Sequence, residues 1–374
     1  MKNIGIVSYN IRCNFTNYGS ALQSWALKES IEKLGEGKIH AKLVDYCSDA
    51  HKDSNPLNPY KNMWDKDEQT RKNCELTMPA IKENYKKFED FYNSQFDRTK
   101  RMYTSKDFDS ILEEEQIDAF VCGADTIFCV DEFGIDDVFY ANKNCMKENY
   151  TFSYAASFGD SHFNTETYKL LDERINNFKA IGIRENGMLE YIKQRTNVEV
   201  ERVIDPTLLL NAKDYESITK DDIPKEKYIL LYARRGNQIM EDYADELAKK
   251  LNCKVIEISL KATNEYKHEM RYDAGVEEFL NLVKNAEYVV TNSYHGMIFS
   301  VQFSKPFVVF SREQCDTKIE EVLDIIGLRD RLLVTGNEKF NENIDYNLVH
   351  KNIEKEREKA IRFLQKQLTN IEGE

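Results

Sequence analysis

The densest chemistry in the chain lies in one run, Thr291-Asn292-Ser293-Tyr294-His295-Gly296. Apolar stretches flank it, so the run reads as the turn from a strand at 287–292 into a helix beginning near Gly296. A helix start presents unpaired backbone N–H groups and a partial positive charge, which suits an anion. Asn292 and Ser293 place polar side chains at that start. Gly296 removes a side chain where a ligand would approach the backbone. His295 adds the one side chain whose ordinary pKa lies near neutrality, the property a proton donor needs. The competing explanation is an N-cap beside a surface histidine.

Other strand ends carry related signals. Asn17-Tyr18-Gly19-Ser20 follows the first strand and opens the first helix. A Gly-Ser helix start takes an oxyanion or a sugar hydroxyl, but the GxGxxG spacing of a dinucleotide site is missing. Arg184 follows a strand at 180–183, Arg234 and Arg235 follow one at 228–233, and Arg312 follows one at 307–310. Arginine clamps phosphate or carboxylate in bidentate fashion. One arginine at a strand end is ordinarily a surface ion pair; three such loops on one sheet edge point to an anion in a cleft. Asp125, in Cys122-Gly123-Ala124-Asp125, is a carboxylate that could take a proton from a sugar hydroxyl or hold two of its oxygens. Asp205, before Pro206, could do the same, though a rigid turn at a lobe boundary is the simpler explanation.

The elements that must position these residues alternate. A strand at 4–9, a helix at 20–34 and a strand at 41–46 open the chain as a β-α-β unit, the mark of a parallel sheet. Residues 51–106 break the rhythm with Lys, Asp, Glu and Asn, and with aromatics that include Trp64, Tyr85, Phe88, Phe91 and Tyr92. This segment is expected to be an irregular loop and a helical insertion showing a solvated charged face. Alternation resumes to a strand at 201–204. A polar stretch at 211–227, with Pro224, reads as a linker, and a second alternating series follows. Two Rossmann-like α/β lobes with a cleft between them are expected: residues 1–215 with the insertion, then 225–340. A charged amphipathic helix within 341–374 is expected to pack back across the linker. In open parallel sheets, ligands bind beyond the carboxyl ends of the strands.

Composition narrows the function. At 374 residues, two domains are the first expectation. A formal charge of −13 disfavours nucleic acid and broad adhesion to anionic lipid, yet leaves room for a local basic site. The 11% aromatic share is better explained by an aromatic core than by sugar-stacking surfaces. Neither a secretory leader nor a run of about 18 apolar residues is evident, so a cytoplasmic protein is expected. The eight cysteines, Cys315 among them, show no CxxC pair, which argues against a zinc site or redox dithiol.

Taken in order, these stretches resemble the polysaccharide pyruvyl transferase family. The matching pieces are Asn17-Tyr18-Gly19 with Ala21-Leu22-Gln23, Cys122-Gly123-Ala124-Asp125, Ser153-Tyr154-Ala155-Ala156-Ser157-Phe158-Gly159, Ile183-Arg184-Glu185, Asp205-Pro206-Thr207-Leu208-Leu209, Ser293-Tyr294-His295-Gly296 and Lys305-Pro306-Phe307. The chain departs from the pattern at Gly123-Ala124-Asp125-Thr126 with Phe128, where the family has Gly-Ser-Asp-Gln and a Trp. Ser293 stands where some members carry arginine.

The resemblance implies a GT-B-like fold, with an acceptor side in the first lobe and a donor side in the second. It implies transfer of the enolpyruvyl unit of phosphoenolpyruvate onto two hydroxyls of a polysaccharide-precursor sugar, forming a pyruvate ketal and releasing phosphate. His295 and Asp125 are then the expected catalytic residues. Asn17, Tyr18, Gly19, Arg184, Arg234, Arg235, Asn292, Ser293, Gly296 and Arg312 are the expected substrate-binding ones. No metal and no cofactor beyond the donor substrate is expected. The expected partners are phosphoenolpyruvate and a sugar or lipid-linked saccharide, and a lipid-linked acceptor would draw the protein to the inner membrane face. Two rivals stand beside this reading: a glycosyltransferase using a nucleotide sugar, and a sugar- or anion-binding protein without turnover.

Overall fold

The computed structural model describes residues 1–57, 68–219, 224–312 and 316–373. Trp64 and Cys315, singled out above, lie outside the described residues. The first lobe is built on seven parallel strands: β1 (Lys2–Val7), β2 (Ile39–Leu43), β3 (Asp97–Arg98), β4 (Ala119–Cys122), β5 (Tyr150–Ala156), β6 (Ala180–Ile183) and β7 (Glu199–Arg202). Their order across the sheet is β3-β2-β1-β4-β5-β6-β7. The second lobe has β8 (Tyr228–Tyr232), β9 (Lys254–Ile258), β10 (Glu269–Met270), β11 (Tyr288–Thr291), β12 (Phe307–Phe310) and β13 (Leu332–Leu333), ordered β10-β9-β8-β11-β12-β13. Parallel strands covered on both faces need continuous apolar sequence. Tyr228–Tyr232 and Phe307–Phe310 supply it, buried at every position.

Both strand orders reverse beside the first strand of the lobe: between β1 and β4, and between β8 and β11. Such a reversal splays the two adjacent crossover connections apart and opens a crevice at the carboxyl ends of the strands. The registers bring those ends level, with Val7 opposite Cys122 and Tyr232 opposite Thr291. The turns that leave them contain Asp125, Arg234, Arg235 and His295.

The lobes are docked on each other. One hydrophobic cluster takes in Ile4 and Leu22 of the first lobe, Tyr228 and Met297 of the second, and Phe363 from the end of the chain. Helix α1 (Tyr18–Leu34) follows β1 and is buried over most of its length. Its cap is Asn17, whose side chain accepts from the N–H groups of Gly19 and Ser20.

The insertion behaves differently from the expected solvated face. Its helix α2 (Glu68–Gln95) buries Cys74, Thr77, Ile81, Asn84, Phe88 and Phe91, a stripe stepping by three or four residues. This stripe faces the second lobe. Thr77 Oγ1 donates to the carbonyl of Leu260 (2.8 Å), Asn84 Nδ2 to that of Ala274 (2.5 Å), and Lys87 pairs with Asp273 and Glu278. The helix thus straps the lobes together, with Lys87 adding ion pairs to the polar contacts across the seam. The 211–227 stretch also holds a short helix, Ala212–Glu216, capped by Asn211.

Helix α3 (Tyr294–Gln302) is buried throughout, and helix α4 (Tyr346–Gly373) closes the fold. Tyr346 of α4 donates to the carbonyl of Lys305 in the second lobe. Further along, Arg357 donates to the carbonyls of Leu208 (2.7 Å) and Leu210 (3.1 Å), and Gln367 accepts from Tyr150 (2.8 Å). Among the described residues no helix is long and apolar enough to cross a membrane.

Candidate active site

The two crevices meet where the start of α3 points at the start of α1. Ser293 caps α3, its hydroxyl oxygen accepting from Gly296 N–H (3.2 Å). Thr291 Oγ1 locks the turn by donating to the Tyr232 carbonyl (2.7 Å) and accepting from Ser293 N–H (3.0 Å). Gly296 serves packing rather than a ligand, because a Cβ there would stand 2.5 Å from Thr291 Oγ1 and 3.0 Å from the Tyr232 ring. Gly19 is the glycine that opens space at the site. A Cβ on it would stand 1.9 Å from His295 Nδ1.

His295 is held from the other side. Its Nε2 is buried and faces Asp205 Oδ2 at 3.5 Å, and that oxygen also pairs with Arg184 Nη2 at 3.0 Å. Asp205 Oδ1 accepts from Thr207 N–H (2.9 Å) and hydroxyl (2.6 Å), so the carboxylate cannot swing. Burial alone would raise the Asp205 carboxyl, but Arg184 and then His295 outweigh it and hold the group well below the usual range. Arg184 is itself 5% exposed, and its three nitrogens lack a hydrogen-bond acceptor of good geometry. Burial works against its charge, and Asp205 restores it. The space beside Arg184, Asp205 and Tyr294 is about 20 Å³, of the order of a water molecule. Arg184, expected on the substrate, therefore lies behind His295 and acts on it through Asp205.

Asp205 had read as a simple turn. The turn exists, but its carboxylate is the hinge of the constellation. No spacing in the sequence signals that, since the contact forms only when the lobes dock.

A cavity of about 390 Å³ opens beside Tyr18, the neighbour of Gly19, and its lining includes the carboxylates of Glu241 and Glu257. Arg234, Arg235, Lys261 and Arg312 give it a cationic wall. Asn292 positions the arginine loop: its Oδ1 accepts from Arg234 N–H and its Nδ2 donates to the Arg235 carbonyl, both at 2.8 Å. Arg312 Nε is buried without an acceptor, as expected of a donor kept for an anion. Tyr18 and Tyr232 also line the cavity. Tyr18 is fixed by its hydroxyl on the Ala274 carbonyl (2.7 Å) and by stacking on Phe279 (4.5 Å between centroids). Asn17 touches the site only through its cap on α1.

Across the cleft, the first lobe presents carboxylates. Asp125 is 6% exposed; its Oδ2 accepts from Ser20 Oγ (2.5 Å) and its Oδ1 from Thr126 N–H (2.9 Å). Gln23 ties this turn to α1 by accepting from Ala124 N–H (2.9 Å) while donating to Ser8 Oγ (2.9 Å).

A family model described as polysaccharide pyruvyl transferase matches residues 17–314, from the cap of α1 past Arg312. The chain belongs to that family.

Members of the pyruvyl transferase family are transferases, and this chain has the GT-B-like fold. It is similar to a Listeria monocytogenes protein assigned provisionally as a UDP-N-acetylglucosamine 2-epimerase, at 11% identity and a TM-score of 0.52, over 98% of this chain and 90% of that one. The UDP-GlcNAc 2-epimerase of Methanocaldococcus jannaschii aligns at 12% identity and a TM-score of 0.49, over 95% and 92% of the two chains. No curated protein matches the sequence.

Within this pyruvyl transferase family fold, Lys318 and Glu132 escaped the sequence reading, and Glu185 entered it only as part of a motif. Glu185 accepts from the Ser157 hydroxyl and from Phe158 N–H (3.2 Å), bracing the turn after β5. Lys318 stands over the Tyr294 ring, 5.7 Å from its centroid, with Arg184 at 5.4 Å. Glu132 follows no strand, which is why its position gave no signal. Among the described residues, no group of three or more His, Cys, Asp and Glu is arranged to hold a metal ion.

Proposed function

We propose that the protein transfers the enolpyruvyl unit of phosphoenolpyruvate onto two hydroxyls of a sugar, forming a pyruvate ketal and releasing phosphate. The observation that carries this reading is His295, pinned between Gly19 and the Asp205–Arg184 pair, with the cavity that Arg234, Arg235 and Arg312 line starting at Tyr18 next to Gly19. The donor bears a phosphate and a carboxylate, which suit Arg234, Arg235 and Arg312. Its methylene carbon must gain a proton, which leaves cationic character on the neighbouring carbon. Asp205 faces Nε2 at 3.5 Å and orients the ring, which leaves Nδ1, over Gly19, as the proton donor. Asp205 and Arg184 are then positioning residues, and Ser293 and Thr291 hold the start of α3. The cavity exceeds the needs of a three-carbon phosphate ester and leaves room for part of the acceptor. An acceptor hydroxyl then gives its proton to a carboxylate of the opposite wall. A lipid-linked saccharide would meet the same wall and bring the protein to a membrane surface.

The test is phosphate release from phosphoenolpyruvate with a panel of galactosides, glucosides and N-acetylmannosaminides, for wild type and His295→Ala. Acceptor-dependent release that collapses in the variant supports the reading. Absence of release, together with no thermal shift on adding phosphoenolpyruvate, rejects the donor.

A further inference from the structure

Ketal formation must move protons from two hydroxyls, so a carboxylate that receives the first of them has to be within reach of the acceptor. Asp125 is poorly placed for this. It is nearly closed off from solvent, and each of its oxygens already accepts a hydrogen bond, from Ser20 and from Thr126. Those bonds join the start of α1 to the turn after β4, which is a structural task.

Glu132 is placed otherwise. The short helix Val130–Phe133 folds back over the same turn, so that Thr126 Oγ1 donates to Glu132 Oε2 at 3.3 Å. Thr126 therefore touches both carboxylates, one through its N–H and one through its hydroxyl. The Glu132 side chain keeps 35% of its surface accessible. Across the cleft, it lies in the field of Lys318 and Arg234. We infer that Glu132, rather than Asp125, is the catalytic residue that exchanges a proton with the acceptor hydroxyl. This assignment rests on the ketal-transfer reading above.

The step balances with Glu132 as carboxylate and His295 as imidazolium. His295 protonates the methylene carbon while the first hydroxyl oxygen bonds to the neighbouring carbon, and that hydroxyl's proton passes to Glu132. The carbon–oxygen bond to phosphate then breaks with its electron pair on oxygen, and Glu132 returns the proton to the departing phosphate. The second hydroxyl adds to the resulting cation, and its proton restores the imidazolium. One group serving as base and then as acid works best with a pKa near the working pH. Partial loss of surrounding water, and next Asp125, push the Glu132 carboxyl up to about 7, while Lys318, the Thr126 hydroxyl and Arg234 pull against them.

The other groups facing Glu132 are uncharged near neutrality. His51, whose Nε2 is 4.0 Å away, is lowered by burial to about 4. Burial also raises Tyr9, Cys13 and Cys129 above their ordinary values. Titration near pH 7 on this wall therefore belongs to Glu132.

The experiment measures acceptor-dependent phosphate release between about pH 5 and 9, with phosphoenolpyruvate affinity from calorimetry, for wild type, E132Q, E132A and D125N. E132Q is expected to lose about 100-fold or more in kcat while binding phosphoenolpyruvate within about twofold of wild type. The acid-side limb of kcat/KM, centred near 7 in the wild type, should vanish in E132Q and remain in D125N at a lower pH, since the Asp125 charge no longer raises Glu132. E132A should regain activity with added formate, an external carboxylate. An E132Q enzyme with kcat within about threefold of wild type, or with the limb intact, overturns the assignment and leaves ketal transfer standing. Absence of release in the wild type, together with no calorimetric binding of phosphoenolpyruvate, overturns both.

Discussion

The imidazole of His295 lies directly over Gly19, with Nδ1 occupying the place where any side chain at that position would begin. The histidine of one lobe and the helix start of the other thus share a contact with no slack. Gly19→Ala must push the ring away or part the lobes. A loss in kcat of about 100-fold is expected from a displacement near 1 Å. Phosphate release, read beside a melting curve, checks it; wild-type turnover in Gly19→Ala would remove His295 from the chemical step.

Asp205 and Arg184 form a buried ion pair, and removing one partner strands the other. Asp205→Ala should cost about 3–5 kcal/mol in urea unfolding. The pair also makes stability depend on acid. The Asp205 carboxyl is held below its unfolded value, so its contribution is complete above about pH 4 and is lost as pH falls through the folded value. Unfolding free energies measured from neutrality downward should decline more steeply in wild type than in Asp205→Asn.

His268 works in the opposite sense. Its Nδ1 stands 2.6 Å from Glu257 Oε2 and its Nε2 2.8 Å from Asp245 Oδ1. Burial lowers its pKa, but the two carboxylates outweigh burial and leave it raised. Its stabilisation is therefore fully present below about pH 6.5 and is lost as pH rises through the folded value. Melting temperatures followed from neutral to alkaline pH should fall in wild type, and His268→Gln should show a flatter profile from a lower start.

Asn84 joins three parts of the molecule: its Oδ1 accepts from Thr16 Oγ1 (2.6 Å), and its Nδ2 donates to the Ala274 carbonyl. Asn84→Ala takes the acceptor from Thr16 Oγ1 and leaves the Ala274 carbonyl with the Tyr18 hydroxyl alone, a cost of about 1–3 kcal/mol. Because Thr16 also lines the cavity, KM for phosphoenolpyruvate should rise more than kcat falls. Steady-state kinetics beside urea unfolding separate the two effects.

The parallel sheets were legible because doubly covered strands must be apolar at every position, as Tyr228–Tyr232 is. The turn residues were legible for a related reason: a site on such a sheet has to lie just past a strand end, and Asp125, Arg234 and His295 do. The stripe on α2 was hidden because polar residues interrupt it. Thr77 and Asn84 are buried against backbone carbonyls of the other lobe, and no hydrophobic periodicity records that. Arg184 misled for a similar reason. Its place after β6 fits an anion ligand, and only the docking of the lobes reveals that Asp205 and His295 occupy its front.

Helix α4 belongs to neither lobe alone, and this governs the order in which the molecule can be finished. A ribosome completes both sheets before it makes residue 346. Until then the strip of the first lobe around Tyr154 and Gly182, where Phe363 later packs, stays wet, and the carbonyls of Leu208 and Leu210 await Arg357. The nascent chain thus passes through a stage with two formed halves and an unsealed seam. Chaperones that shield apolar seams would meet this protein at that stage.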